Sequence, residues 1–143
     1  MTIQAINPAT GEKLADYPLI SPEEAARAIE AAHETFLEWR RTAPAERADR
    51  LRAAARTLRS EVQELAVLMA REMGKPVREG RAEIEKCALA CEYYAEHGEA
   101  FLRPEPVETD ARRSYVAFRP LGVILAVMPW NFPFWQVFPF AAP

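Results

Sequence analysis

From residue 120 to residue 143 the chain carries no charged side chain. That run is about as long as a membrane-spanning helix, which needs about 20 apolar residues. Yet Pro129, Pro133 and Pro139 fall inside it, and each proline in a helix interior costs about 3 kcal/mol or more. An exposed tail would leave its Phe and Trp side chains in water, which is an aggregation hazard. The remaining solution is a strand and a turn. Residues 121–128 read LGVILAVM, and a continuous apolar run of this length suits a parallel strand covered on both faces. The expected fold class is therefore α/β, with this run as a first central strand. Ligands of open α/β sheets bind just past the carboxyl ends of strands. Met128-Pro129-Trp130-Asn131-Phe132-Pro133 occupies such a position. Its two prolines stiffen the turn, and Asn131 between them is a polar donor in an apolar setting.

The first hundred residues read as two short strands and four helices. Residues 2–6 and 12–19 suit strands, joined by the turn formers Asn7-Pro8-Ala9-Thr10-Gly11. Ser21 and Glu24 make a capping box with Pro22 at the first helical position. Ala25, Ile29, Ala32, Phe36 and Trp39 then follow at helical steps and predict a buried stripe. Pro44 and Glu46 open a second helix whose inner face is Leu51, Ala55 and Leu58. Ser60 and Gln63 suggest a capping box for a third, with Val62, Leu65, Ala66, Met69 and Met73 inward and Gly74 as its stop. A fourth is expected over residues 77–102, with Ile84, Ala88, Cys91, Ala95 and Phe101 inward. Pro104 and Pro106 end the helical part. Residues 106–109 and 112–119 suit a hairpin.

A net charge of −3 gives no electrostatic reason to expect nucleic acid or an anionic membrane as partner. Two cysteines are too few for a disulfide framework, and the first twenty residues contain no apolar leader. A reducing cytoplasm is the expected compartment. Cys87 and Cys91 lie four apart on one helical face, but no other Cys or His pair completes a metal site. They read as core, and no metal is expected. His33, His97 and the glutamates Glu24, Glu46, Glu72 and Glu83 read as caps and solvated faces.

Several motifs together resemble the aldehyde dehydrogenase superfamily. Pro120-Leu121-Gly122-Val123 followed by Met128-Pro129-Trp130-Asn131-Phe132-Pro133 is similar to its signature. Asn7-Pro8-Ala9-Thr10-Gly11-Glu12 resembles its first strand turn, and Glu72-Met73-Gly74-Lys75-Pro76 the end of its third helix. The pieces keep the family's order and cover essentially the whole chain. Lys86-Cys87-Ala88 and Tyr93-Tyr94-Ala95-Glu96 look closest to the succinate-semialdehyde dehydrogenase type. The resemblance implies the amino-terminal part of an NAD(P)-binding, Rossmann-like domain over residues 1–143. It also implies a hairpin oligomerisation arm over about 104–119, which in the full-length enzyme would join a homo-oligomer (dimer or tetramer).

The implied reaction oxidises an aldehyde with NAD or NADP as hydride acceptor. A cysteine thiolate attacks the carbonyl, hydride leaves, and a glutamate base assists hydrolysis of the thioester. By motif match Asn131 donates to the oxyanion. Met128, Pro129, Trp130 and Asn131 line the cofactor site, and Phe132 and Gln136 face the aldehyde tunnel. Without the resemblance, Asn131 reads first as a turn former bonded to its own backbone, and Trp130 equally as core packing or as a cofactor contact. The family's nucleophile, glutamate base, ribose-binding lysine and glycine turn have no counterpart in these residues. The expectation is an inactive fragment with little affinity for NAD(P) that self-associates through residues 120–143. The alternative is a helical binding module that docks on a full-length dehydrogenase through its hairpin.

Overall fold

A computed structural model describes residues 2–143 of the chain. Strands β1 (Thr2–Ile6) and β2 (Lys13–Pro18) pair antiparallel, with a bulge between Ala5 and Ile6. Their turn closes on itself: Asn7 Oδ1 accepts the Ala9 N–H at 2.9 Å, and Gly11 takes a φ of +75°. Helix α1 (Pro22–Trp39) starts at the expected capping box, in which Ser21 Oγ accepts the Glu24 N–H and Glu24 accepts the Ser21 N–H. Helices α2 (Pro44–Ser60), α3 (Val62–Met73) and α4 (Val77–Phe101) follow. Two-residue strands β3 (Glu105–Pro106) and β4 (Tyr115–Val116) form a hairpin, and a single turn, α5 (Phe138–Ala141), comes last.

Helix α4 is the spine. Its Ile84, Cys87, Ala88 and Cys91 are fully buried against Ala55 and Leu58 of α2 and Met69 of α3. These residues follow the helical step of three and four, so one face of α4 meets both neighbours. Many are small, and small side chains let helices approach closely. Gly80 is the tightest point: a Cβ there would lie 3.1 Å from the Cα and Cβ of Ala66. Arg59 adds an ion pair from α2 to Glu92 and Glu85 of α4. These partners are substantially exposed, so the packing rather than the ion pairs carries the stability.

At α3's end Gly74 adopts φ +75°, the left-handed conformation that closes many helices. The ring of Pro8 lies against Gly74, and the Tyr17 hydroxyl donates to Glu72 at 3.2 Å. The β1–β2 hairpin is thereby tied to the α3–α4 corner.

Four expectations need correction. Residues 121–128 form no strand and pair with none among the described residues. A strand exists only through its ladder, and the two two-stranded sheets here use other segments. Leu121, Leu125 and Val127 are each more than 85% exposed. Second, the α1 stripe has no buried member; the Phe36 ring lies beside Gly122, whereas Ile29 and Trp39 face solvent. Third, Ser60 ends α2 by donating its hydroxyl to the Thr57 carbonyl, and α3 starts at Val62 after Glu61, which gives it no side-chain cap. Fourth, the 106–109 and 112–119 strands shrink to one short ladder, and Phe101 is exposed. The expected four helices are present, with α5 in addition.

Two measurements test this packing. Gly80→Ala improves helix propensity by about 1 kcal/mol but forces a methyl group against the Ala66 backbone, an overpacking cost of about 1–3 kcal/mol. A net loss on the order of 1 kcal/mol is expected from urea unfolding; a gain would show that α3 yields freely. Burial, followed by the Glu83 charge, pushes the Cys87 thiol up to about 12 from its ordinary 9.0, and burial raises Cys91 as well. Unfolded thiols therefore ionise before folded ones. Their contribution is complete below about pH 9 and is lost as the pH rises toward about 12. The urea midpoint should fall over that window, and fall less in the Cys87→Ala, Cys91→Ala double variant. Equal slopes in both chains would refute the assignment.

Candidate functional site

After residue 131 the chain enters a run of helical turns. The Phe132 carbonyl accepts the Gln136 N–H at 3.0 Å, and the Phe134 carbonyl accepts the Val137 and Phe138 N–H groups. Such a start leaves N–H groups without partners. Pro133 has none to offer, which is why proline suits the first helical position. Phe132 stands where a Ser or Asp would usually cap, and its side chain cannot accept. The cap comes from α4 instead. Glu83 Oε1 accepts the N–H of Phe134 at 3.0 Å and of Trp135 at 2.9 Å.

The other oxygen of Glu83 pairs with Lys75 Nζ, and both side chains are more than nine-tenths buried. Lys75 Nζ also donates to the Asn131 backbone carbonyl at 3.4 Å and lies 3.9 Å from the centre of the Phe132 ring. Lys86, one turn beyond Glu83, lies 3.5 Å from the centre of the Trp135 ring. The sequence produces this corner directly. Gly74 stops α3, Pro76 starts α4, and Lys75 between them is turned inward. Residues 120–143 supply no charge of their own, so every charge at the turn comes from the α3–α4 corner.

The expected site residues lie along this turn. Met128 is half-buried, whereas Pro129, Trp130 and Asn131 are exposed. Trp130 is 75% exposed, so it is not core packing. No hydrogen bond to the Asn131 side chain occurs among the described residues, so its amide is not spent on its own turn. Trp130, Pro133 and Phe134 border a cleft of about 520 Å³ against Met69, Met73 and Pro8. Phe132 borders a different one, about 230 Å³, with Trp135, Ala82, Lys86, Lys75 and Glu83. Gln136 is half-buried and lines neither. The buried Cys87 and Cys91 are poor nucleophiles, because desolvation raises both thiols. Among the described residues no three metal-ligating side chains gather, and no helix is long and apolar enough to cross a membrane.

Reading Glu83 as a solvated glutamate is wrong; it is 5% exposed. Its role was signalled by position. Gly80, Ile84, Cys87 and Cys91 mark the apolar stripe of α4, and Glu83 falls within it. A carboxylate in such a stripe requires a partner, and Lys75 at the α3–α4 corner supplies it. Glu83→Ala leaves Lys75 charged and buried and two N–H groups uncapped. Loss of one partner from a buried pair costs about 3–5 kcal/mol. Chemical unfolding of the variant should show a drop of that size, and a drop below about 1 kcal/mol would mean that water replaces the carboxylate.

The whole chain is similar to known proteins. Residues 1–143 match the model of the aldehyde dehydrogenase family. A probable NADP(+) succinate-semialdehyde dehydrogenase of Synechocystis sp. is 50% identical over 143 residues, which are 100% of this chain and 32% of that protein. An Escherichia coli succinate semialdehyde dehydrogenase named for NAD(P)+ is 45% identical over 97% of this chain and 30% of its own length. The crystal structure of succinic semialdehyde dehydrogenase from Streptococcus pyogenes, in complex with NADP+, superposes with a TM-score of 0.89 at 36% identity. That superposition covers 94% of this chain and 30% of the other. The chain thus spans about a third of the length of these relatives. It belongs to the aldehyde dehydrogenase family.

Proposed function

We propose that this chain forms the amino-terminal part of an NAD(P)-dependent dehydrogenase that oxidises a small aldehyde, succinate semialdehyde or a close analogue, to the carboxylate. The names of the Synechocystis and E. coli relatives support the substrate; the first is named for NADP(+) and the second for NAD(P)+. The observation that carries the reading is the free amide of Asn131, exposed on a turn whose backbone is fixed by a buried carboxylate. A pre-set donor is what stabilises an oxyanion, because it needs no reorganisation as charge develops.

Residues 128–131 suit the nicotinamide end of a dinucleotide. They form an uncharged, largely exposed ribbon with an indole at its end. They offer no cation or glycine loop for the phosphates. Met128, Pro129 and Trp130 would hold the nicotinamide side, and the bound cofactor supplies the hydride acceptor. Asn131 donates its side-chain N–H to the carbonyl oxygen as negative charge builds there. Phe132 walls the approach of the aldehyde and excludes water, with Gln136 farther along the same turn. The nucleophile and the base belong to the remainder of the full-length enzyme.

The β3–β4 hairpin is read as an arm for a neighbouring subunit of a homo-oligomer. Val107, Tyr115, Val116 and Phe118 are all exposed on it, and a short ladder with unpaired edges is open to a further strand. Two free, buried cysteines suit a reducing cytoplasm. In the full-length enzyme, Asn131→Ala should lower kcat about 10²–10³-fold, the usual loss for one oxyanion donor, with little change in KM. Steady-state kinetics on succinate semialdehyde checks this, and an unchanged kcat would remove the oxyanion assignment.

A further inference from the structure

We propose that Glu83 and Lys75 are positioning residues for the oxyanion donor, acting on Asn131 through the backbone of its turn. The inference rests on the oxyanion reading of Asn131 and adds to it the device that sets the donor's place. Among the described residues neither side chain hydrogen-bonds to the Asn131 side-chain amide. Glu83 Oε1 holds the N–H groups of Phe134 and Trp135, three and four residues beyond Asn131. Lys75 Nζ, paired with Glu83, reaches the Asn131 carbonyl itself. Two prolines, Pro129 and Pro133, leave the segment between them few conformations. Fixing the backbone at Asn131 and just beyond it therefore limits where the amide can lie.

The attachment is built on one helix and one corner. Glu83 stands on the buried face of α4 between Gly80 and Cys87, and Lys75 follows the left-handed Gly74. Both belong to the packed core of the chain, so the turn inherits the rigidity of the helix bundle. Without the pair, the 121–130 ribbon has no ladder to restrain it.

The pair also meets a charge requirement. A lone carboxylate behind the donor would oppose a developing oxyanion, and a lone ammonium would attract anions whether or not they were reacting. Paired and buried, the two present a neutral anchor with strong hydrogen bonds. A displacement of about 1 Å at a catalytic group costs on the order of 10² in rate. That sets the scale of the effect expected when the anchor is lost.

The test is a double-mutant cycle in the full-length enzyme, using Asn131→Ala, Glu83→Gln and their combination. Glu83→Gln keeps the shape and one acceptor oxygen but removes the charge. It should lower kcat about 10–10²-fold and change KM for the aldehyde less than about threefold, because the donor matters most in the transition state. With Asn131 already removed, Glu83→Gln should cost almost nothing further, since effects that act through one group do not multiply. Multiplying losses would assign Glu83 a purely structural role and overturn the proposal.

A second variant covers the case in which Glu83→Gln does not fold. Lys75→Met with Glu83→Met removes both charges at similar volume, a replacement that buried pairs often tolerate. It should fold with native near-ultraviolet dichroism and still lose kcat, with faster amide exchange at Phe134 and Trp135. Full activity in that folded variant would overturn the proposal. If Asn131→Ala alone leaves kcat unchanged, the oxyanion reading fails first. If Asn131→Ala is severe and both anchor variants are fully active, only the positioning role fails.

Discussion

A carboxylate inside an apolar helix face is costly until every lone pair is used, and Glu83 uses its own by joining three separate segments. One oxygen meets the ammonium of Lys75 at the end of α3, and the other meets two peptide groups of the turn after residue 131. The desolvation penalty for such a pair is several kcal/mol per ion, and only good geometry with added hydrogen bonds offsets it. Glu83 is the shared partner: without it the Lys75 ammonium and both peptide N–H groups lose a bond in a buried site. One side chain thus gives an uncharged stretch of chain its position.

The same physics explains the uneven burial. Between α2, α3 and α4 the chain buries small, close-packed side chains to zero exposure, whereas α1 and residues 121–130 keep most of their apolar surface open. About 25 cal/mol is at stake for each Å² of apolar area covered, so those surfaces are an unused source of stability in this chain. The backbone path is nonetheless that of the family, since 94% of the residues superpose on the Streptococcus pyogenes enzyme. Phe36 lies beside Gly122 near one end of residues 121–128, and the anchored turn follows residue 131 at the other.

Local signals were the most legible part of the sequence. The Ser21–Glu24 box, Pro44 and Gly74 mark helix ends through interactions with their own neighbours, and all three hold. The inward faces of α2, α3 and α4 were readable because helical periodicity maps directly onto burial when a partner helix is present. The α1 stripe has the same periodicity and no cover, so the pattern alone could not distinguish the two cases. Ser60 illustrates competition: its hydroxyl reaches back to Thr57 in α2 rather than forward into α3. The signature turn was legible as a turn, but its support was not. Lys75 and Glu83 lie about fifty residues from the groups they hold, and no local pattern reports a contact of that range. What could be read was the anomaly of a glutamate between Gly80 and Cys87, which demands a partner without naming one.

Anchoring the turn by its backbone rather than by the Asn131 side chain has a chemical consequence. In the oxyanion reading proposed above, an Asn amide held by a neighbouring carbonyl or carboxylate would be well ordered but would have spent the N–H that the oxyanion needs. Peptide groups exist at every residue and carry no chemistry of their own in this reaction class, so using them for order costs the site nothing. Phe134 and Trp135 give their N–H groups, Asn131 gives its carbonyl, and its amide remains unpaired among the described residues. Order and availability normally oppose each other at a hydrogen-bonding side chain. Here they are divided between the main chain and the side chain of one short segment, with the charges that enforce the order kept on a different helix.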